Sequence, residues 1–359
     1  MHKPKILNYI NIFRGIAIIF IVLGHTIDIS NPFIKRIFME LFAHGTIMFL
    51  FISGFLFEYL SKEFKYQLYL KKKFFNVILP YVIISIPGII YCFLHTNIFS
   101  VYTPITQIIL YLITGIIHNP PTWYIPLIAV YFVISKNLIF LKTKNILYKF
   151  LPLLALFTLF IQRPQYGDSI SSDMTIFYKY FIYIYILLLI IVTLHFLFVY
   201  ILGMYYSSNK NKIKFLYRNR SWLWILMFVT GFIDIYIMKY NLPQNGDISK
   251  IFLTLLLLAY LKHYDKKILK HKILNKIFNK IAKYSFGIFF THWYILMCFN
   301  KLFANPYKEI ISLNTFLGNI SFMLFKFAIV FLLSFCICYI IKFVLNKLGF
   351  YKTRFVIGV

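Results

Sequence analysis

Residues 11–28 read NIFRGIAIIFIVLGHTID, an apolar stretch with Arg14 near its start, His25 near its end and Asp28 just beyond. About 20 apolar helical residues cross a bilayer core of about 30 Å, so this stretch predicts a membrane-spanning helix. Stretches of the same kind recur along the whole chain. Of the 359 residues 61% are hydrophobic and the mean hydropathy is +0.77, well above a soluble domain and a reading that excludes one. The net charge of +28 would suit a nucleic-acid binder if it were gathered on one polar domain. Here the basic residues form short runs between apolar stretches, which is the mark of membrane topology, and nucleic acid is not an expected partner.

Ten spans are expected, near Tyr9 to Ile27, Leu41 to Leu60, Val77 to Leu94, Trp123 to Leu141, Phe150 to Ile161, Tyr180 to Tyr205, Trp222 to Met238, Ile248 to Leu261, Tyr284 to Phe303 and Gly318 to Leu345. An eleventh candidate, Ile105 to Ile117, is short. Cytoplasmic loops carry the Lys and Arg excess, so charge decides whether it crosses. If it does not, 28 of the 38 basic residues fall on the inner side and eight on the outer, with Arg14 and Lys326 inside spans. If it crosses, every later loop inverts. The segment is therefore read as re-entrant or interfacial, which is tolerable where protein surrounds it. The fold expected is an all-α bundle of about ten transmembrane helices in one domain, residues 1–359, with no soluble domain, both termini cytoplasmic and the cytoplasmic membrane as its location.

Lys3 and Lys5 precede the first apolar run as in a signal peptide. No small-residue cleavage site follows and Arg14 interrupts the run, so the first helix is expected to be retained. Residues 262–283 form a basic loop with Ile268, Leu269, Ile273, Leu274, Ile277 and Phe278 at helical spacing, read either as lying along the inner membrane surface or as a plain anchor. Cys92, Cys298, Cys336 and Cys338 lie in apolar stretches without metal or redox spacing and are expected to be buried free thiols; no metal is expected.

Arg14 and His25 are eleven residues apart. At 100° and 1.5 Å per residue they return to within about 20° of one direction and stand roughly 16 Å apart along one helix face. Ionisable groups at such depth are costly and usually face a cavity, a partner or a substrate path. Taken singly, Arg14 has the alternative of snorkelling to the inner interface and His25 of hydrogen-bonded packing; the shared stripe weakens both. Asp28 either orients His25 or meets water at the helix end. Pro87-Gly88 interrupts the third span, while Glu58 and Asp234 lie near the ends of theirs.

Arg14 and His25, Phe51-Ile52-Ser53-Gly54-Phe55, Lys72-Lys73 before Ile78-Leu79-Pro80-Tyr81, Trp123-Tyr124 and the run SFGIFFTH from Ser285 to His292 together resemble the acyltransferase-3 family of membrane acyltransferases, from about Ile10 to the C-terminus. The resemblance implies an O-acyltransferase. It would take an acyl group, commonly acetyl, from cytosolic acyl-coenzyme A as co-substrate and place it on a hydroxyl of a surface polysaccharide or lipid-linked sugar. It also implies that Arg14 and His25 are the essential pair. The chemistry agrees: an imidazole, with an ordinary pKa of about 6.5, suits a general base for a sugar hydroxyl, and a transient acyl-histidine is the less favoured version. Arg14 either holds a coenzyme A phosphate or orients the thioester.

Lys71, Lys72 and Lys73 end the first inner loop, where the family shows a basic pair; they either attract the donor's phosphates or anchor the topology. Asn76 stands where a further basic residue is common. Ser53 and Gly54 read first as close packing, with substrate lining as the second reading for Ser53. Trp123, after the turn Asn119-Pro120-Pro121-Thr122, either anchors at the outer interface or walls an acceptor site. His292, about eight residues into its span, either shares proton handling with His25 or is a satisfied buried histidine. A transporter or flippase is the alternative class, and would show repeats and paired broken helices. A glycan polymerase would show a large outer loop. Neither feature is present in the sequence.

Overall fold

The structure is a computed structural model that describes residues 7–95, 102–115, 120–161, 175–239, 247–303 and 316–359. Lys3, Lys5, Ile117 and Asn119 lie outside these residues. Every regular element among the described residues is helical. In chain order the longer helices are α1 Asn8–Thr26, α2 Pro32–Phe42, α3 Thr46–Leu60, α4 Tyr66–Lys73, α5 Leu79–His95, α6 Pro104–Thr114, α7 Tyr124–Val133 and α8 Ser135–Thr143. They continue as α9 Leu151–Phe160, α10 Thr175–Ser208, α11 Lys210–Arg218, α12 Arg220–Lys239, α13 Asp247–His263, α14 Asp265–Lys270, α15 Lys272–Leu302, α16 Phe316–Lys347 and the short α17 Arg354–Ile357.

Six helical stretches are long and apolar enough to cross a membrane, and a seventh is counted if the pair Pro121–Val133 and Ser135–Thr143, bent by 47°, is one span. The protein is a polytopic helical membrane protein, and a helix stands at each of the ten places where a span is expected. Two boundaries differ from expectation. The second span does not begin at Leu41: Asn31 caps a separate helix, its Oδ1 accepting from the Phe33 and Ile34 amides at 3.0 and 3.1 Å, and Pro32 fills the first position. His44 then takes a left-handed φ of 59°, ending that helix before α3 starts at Thr46. The ninth span likewise begins before Tyr284: the 262–283 segment is helical, as its spacing implies, and α14 leads into α15, whose 31 residues run about 46 Å with Ile273, Leu274 and Ile277 exposed on the first turns.

The expected short segment is a capped helix of 11 residues, about 16 Å long. Thr103 accepts from the Thr106 amide, Pro104 opens the helix, and Gly115 closes it at φ 66°. All four cysteines are free. Only Cys92 and Cys338 are buried; Cys298 and Cys336 face outward, because an apolar helix in a membrane has a lipid side as well as a packed one.

The helices gather into two compact units. One comprises 1–63, 199–349 and Val359, and the other 64–198 and 350–358. In the first, α1 lies along α15, and their contacts advance together. Asn11 bonds Asn279 (3.2 Å), Arg14 bonds Ser285 and His25 meets His292, so the two helices run parallel. α16 packs against α15 in the opposite sense, with Tyr284 near Phe335 and Phe299 near Phe322. α3 crosses the end of α10 at glycines from both sides. A Cβ at Gly54 would run into the Tyr200 carbonyl oxygen, and one at Gly203 into that of Phe51, which is how small residues let membrane helices approach. In the second unit, phenols tie helices together: Tyr81 donates to the Leu112 carbonyl (2.8 Å), Tyr66 to Val133 (2.9 Å) and Tyr131 to Thr193 (2.8 Å).

Candidate active site

The seam between α1 and α15 is polar at two levels. At its N-terminal end Asn279 bonds Asn8, Asn11 and Asn275 through side-chain amides, the kind of interhelical hydrogen bonding that holds helices together in lipid. One turn further, half-buried Arg14 donates from Nη2 to Ser285 Oγ at 3.2 Å. Ser285 is fully buried and passes its own proton to the Ala282 carbonyl at 2.9 Å. Gly15, next to Arg14, permits this closeness, since a Cβ there would stand 3.1 Å from the Phe278 carbonyl oxygen.

Three turns along α1 the seam becomes polar again. The His25 ring lies 5.4 Å from that of His292 and 5.5 Å, edge to face, from the indole of Trp293. Gly24 brings this end of α1 against the α2–α3 turn, where a Cβ would be 3.0 Å from Ala43 Cα. His292 is fully buried, with Nδ1 3.0 Å from the Ile288 carbonyl oxygen. A carbonyl only accepts, so Nδ1 carries the hydrogen and Nε2 the lone pair. His292 Nε2 and the Trp293 indole nitrogen are both buried without a hydrogen-bond partner among the described residues. A buried polar atom left unmatched in lipid costs free energy and calls for an explanation.

The structure thus brings Arg14, His25 and His292 onto one seam. Ser53 is half-buried on α3 in the same unit, beside Gly54 at the α3–α10 crossing. Asp28 does not orient His25. Its carboxylate pairs with Lys326 at 3.2 Å, which gives the intramembrane lysine, 3% exposed, its counter-charge. A cavity of about 720 Å³ lies on another side of α1, lined by Phe20, Arg36, Glu40, Trp224, Phe232 and Lys250, and includes none of the expected site residues.

Lys72, Lys73 and Trp123 belong to the second unit. Lys72 is exposed at the end of α4, and Lys73 Nζ lies over the rings of Tyr69 (5.3 Å) and Phe132 (4.7 Å). Directly after them Phe74–Ile78 forms a π-helical turn, a distortion frequent at functional sites. Asn76 lies in it and donates to the Lys72 carbonyl at 2.6 Å. Trp123 ends the turn Pro120–Trp123 and stacks on Phe196 at 5.6 Å.

Sequence reasoning missed Trp293 and the Asn8–Asn11–Asn279 cluster. For the cluster the usable signal was periodicity on α15, where Asn279 and Ser285 recur on the side that meets α1; for Trp293 the sequence carried none.

The parallel helices α1 and α15 thus carry a cation and an imidazole on one polar seam of a helical membrane protein. The acyltransferase-domain model of the acyltransferase-3 family matches residues 7–342, so the chain belongs to that family and is a membrane acyltransferase. No curated protein and no solved structure matched the chain.

Proposed function

We propose that the protein is an O-acyltransferase of the cytoplasmic membrane that moves an acetyl group from cytosolic acetyl-coenzyme A to a hydroxyl of a surface polysaccharide or its lipid-linked precursor. The observation that carries this reading is that Arg14 and His25 both turn to α15, one at Ser285 and the other at His292 and Trp293. Their separation of roughly 16 Å suits the two ends of a coenzyme A thioester. Arg14 cannot orient a carbonyl that reacts beside His25, so it takes a phosphate, to which a guanidinium fork is matched. His25 takes the proton from the acceptor hydroxyl as general base, and direct transfer is favoured over an acyl-histidine. His292 lies against that imidazole and shares its proton handling. Lys72 and Lys73 raise the local concentration of the anionic donor at the cytosolic face. Within the second unit Trp123 offers an aromatic face to the acceptor glycan, and within the first Ser53 lines the path.

Ten crossings with both termini in the cytosol complete the reading. Parallel α1 and α15 fit the first and ninth spans, which must run in the same direction. If α6 crossed, α15 would become the tenth and run against α1; a capped helix about 16 Å long fits a non-crossing segment.

The test is to incubate membranes carrying the protein with radiolabelled acetyl-coenzyme A and cell glycans. Label passes to glycan with the wild type and with His271→Ala, and is lost with His25→Ala. Transfer that survives the loss of both Arg14 and His25 overturns the assignment.

A further inference from the structure

A general base accounts for one half of an acyl transfer. As the hydroxyl oxygen adds to the thioester carbon, the carbonyl electron pair moves to oxygen, and that oxygen needs a hydrogen-bond donor already in place. In a low-dielectric seam this requirement is severe, because neither water nor a mobile cation supplies it. Arg14 is excluded by distance, standing three turns away on the same helix and bonded to Ser285. Other donors near this level of the seam are committed: the Thr26 hydroxyl donates to the Leu23 carbonyl at 2.9 Å, and Thr291 to Gly287 at 3.1 Å. Lys326 Nζ bonds Asp28. His292 presents a lone pair, since its one ring hydrogen goes to Ile288. What remains is the Trp293 indole N–H, a donor only, buried without a partner, on a ring in edge-to-face contact with His25.

We infer that Trp293 is a catalytic residue whose indole N–H holds the acyl carbonyl oxygen while His25 deprotonates the attacking hydroxyl. The inference rests on the proposed transfer reaction and assigns its missing electrophilic partner. The step balances within the groups present. The C–O bond forms as the hydroxyl proton passes to His25, and negative charge gathers on the carbonyl oxygen against the indole N–H. Collapse re-forms the carbonyl and breaks the C–S bond, and the leaving thiolate takes the proton from His25, giving coenzyme A and the ester. His292, whose Nε2 lone pair is also left without a partner, lies against the same imidazole. The donor and the acceptor left open among the described residues thus both stand on rings in contact with the one imidazole that must pick up and release a proton.

The test replaces Trp293 with benzothienylalanine, which keeps the fused-ring shape and puts sulfur where the N–H stands, so packing against His25 is preserved. Transfer is expected to slow by about 10²-fold or more in kcat, with KM for acetyl-coenzyme A changed less than about twofold. A wild-type rate in this variant overturns the inference while leaving the transferase reading intact. A second readout does not depend on turnover: the indole ¹⁵N–¹H resonance of Trp293, identified among the four tryptophans by its loss in Trp293→Phe. On adding a ketone analogue of acetyl-coenzyme A, with methylene in place of sulfur, this signal moves downfield. If the wild type transfers no label the proposed function fails, yet the ketone titration still decides whether Trp293 donates: an unmoved resonance at saturation refutes it.

Discussion

A single intramembrane charge is costly, and that of Lys326 is answered by a named neighbour. Lys326 is 3% exposed and its ammonium finds Asp28, which is itself about one-third exposed at the end of α1. Taking away one partner of such a pair leaves a desolvated charge, whereas taking away both costs little. Asp28→Ala is therefore expected to lower the stability of the detergent-solubilised protein by about 1–3 kcal/mol, less than for a fully buried pair. Asp28→Ala with Lys326→Met should regain most of that loss in thermal unfolding; equal instability of the single and double variants would show that the pair is not coupled. The sequence displayed Asp28 three residues beyond His25 and invited a carboxylate–imidazole contact. It could not show that a lysine almost 300 residues later arrives on that side, because spacing along one helix fixes a direction and not the neighbour found there. Arg14 and His25 were legible for the converse reason: both lie on one helix, and helical geometry alone aligns them. Trp293 was not legible, since an aromatic in an apolar span looks like core until its N–H is seen to lack an acceptor.

At the scale of elements, a helix stands at each place where hydropathy put a span, and local backbone chemistry moved the boundaries. Asn31-Pro32 is a helix start inside what had read as an outer loop, and left-handed His44 is the stop that separates α2 from α3. Length and caps likewise settle α6 as an 11-residue helix. The α3–α10 crossing depends on two glycines that interlock, Gly54 against Tyr200 and Gly203 against Phe51. The reading of Ser53-Gly54 as a packing motif is thereby given its partner. Gly54→Val should lower folded yield and stability by at least about 1–3 kcal/mol, because the obstruction is backbone and not a side chain that can rotate away. Gly231→Ala is the contrast, since its nearest neighbour would be a Glu40 side-chain atom at 3.4 Å, an ordinary contact, and it should leave the melting temperature close to wild type. If both substitutions behave alike in a thermal-shift measurement, the α3–α10 crossing is not as close as described.

For the whole molecule, family membership over residues 7–342 turns a list of apolar stretches into a membrane acyltransferase. The central claim is that the first helix carries the donor from the cytosolic side at Arg14 to the reacting centre at His25. Sealed vesicles of defined orientation test it most directly, with labelled acetyl-coenzyme A supplied outside and a glycan acceptor enclosed. Inside-out vesicles, which present the cytosolic face to the donor, should label the enclosed glycan. Right-side-out vesicles should not, and inside-out vesicles carrying His25→Ala should fall by at least about 10²-fold while still binding the donor. Equal labelling in both orientations, or undiminished transfer in His25→Ala, would contradict the account.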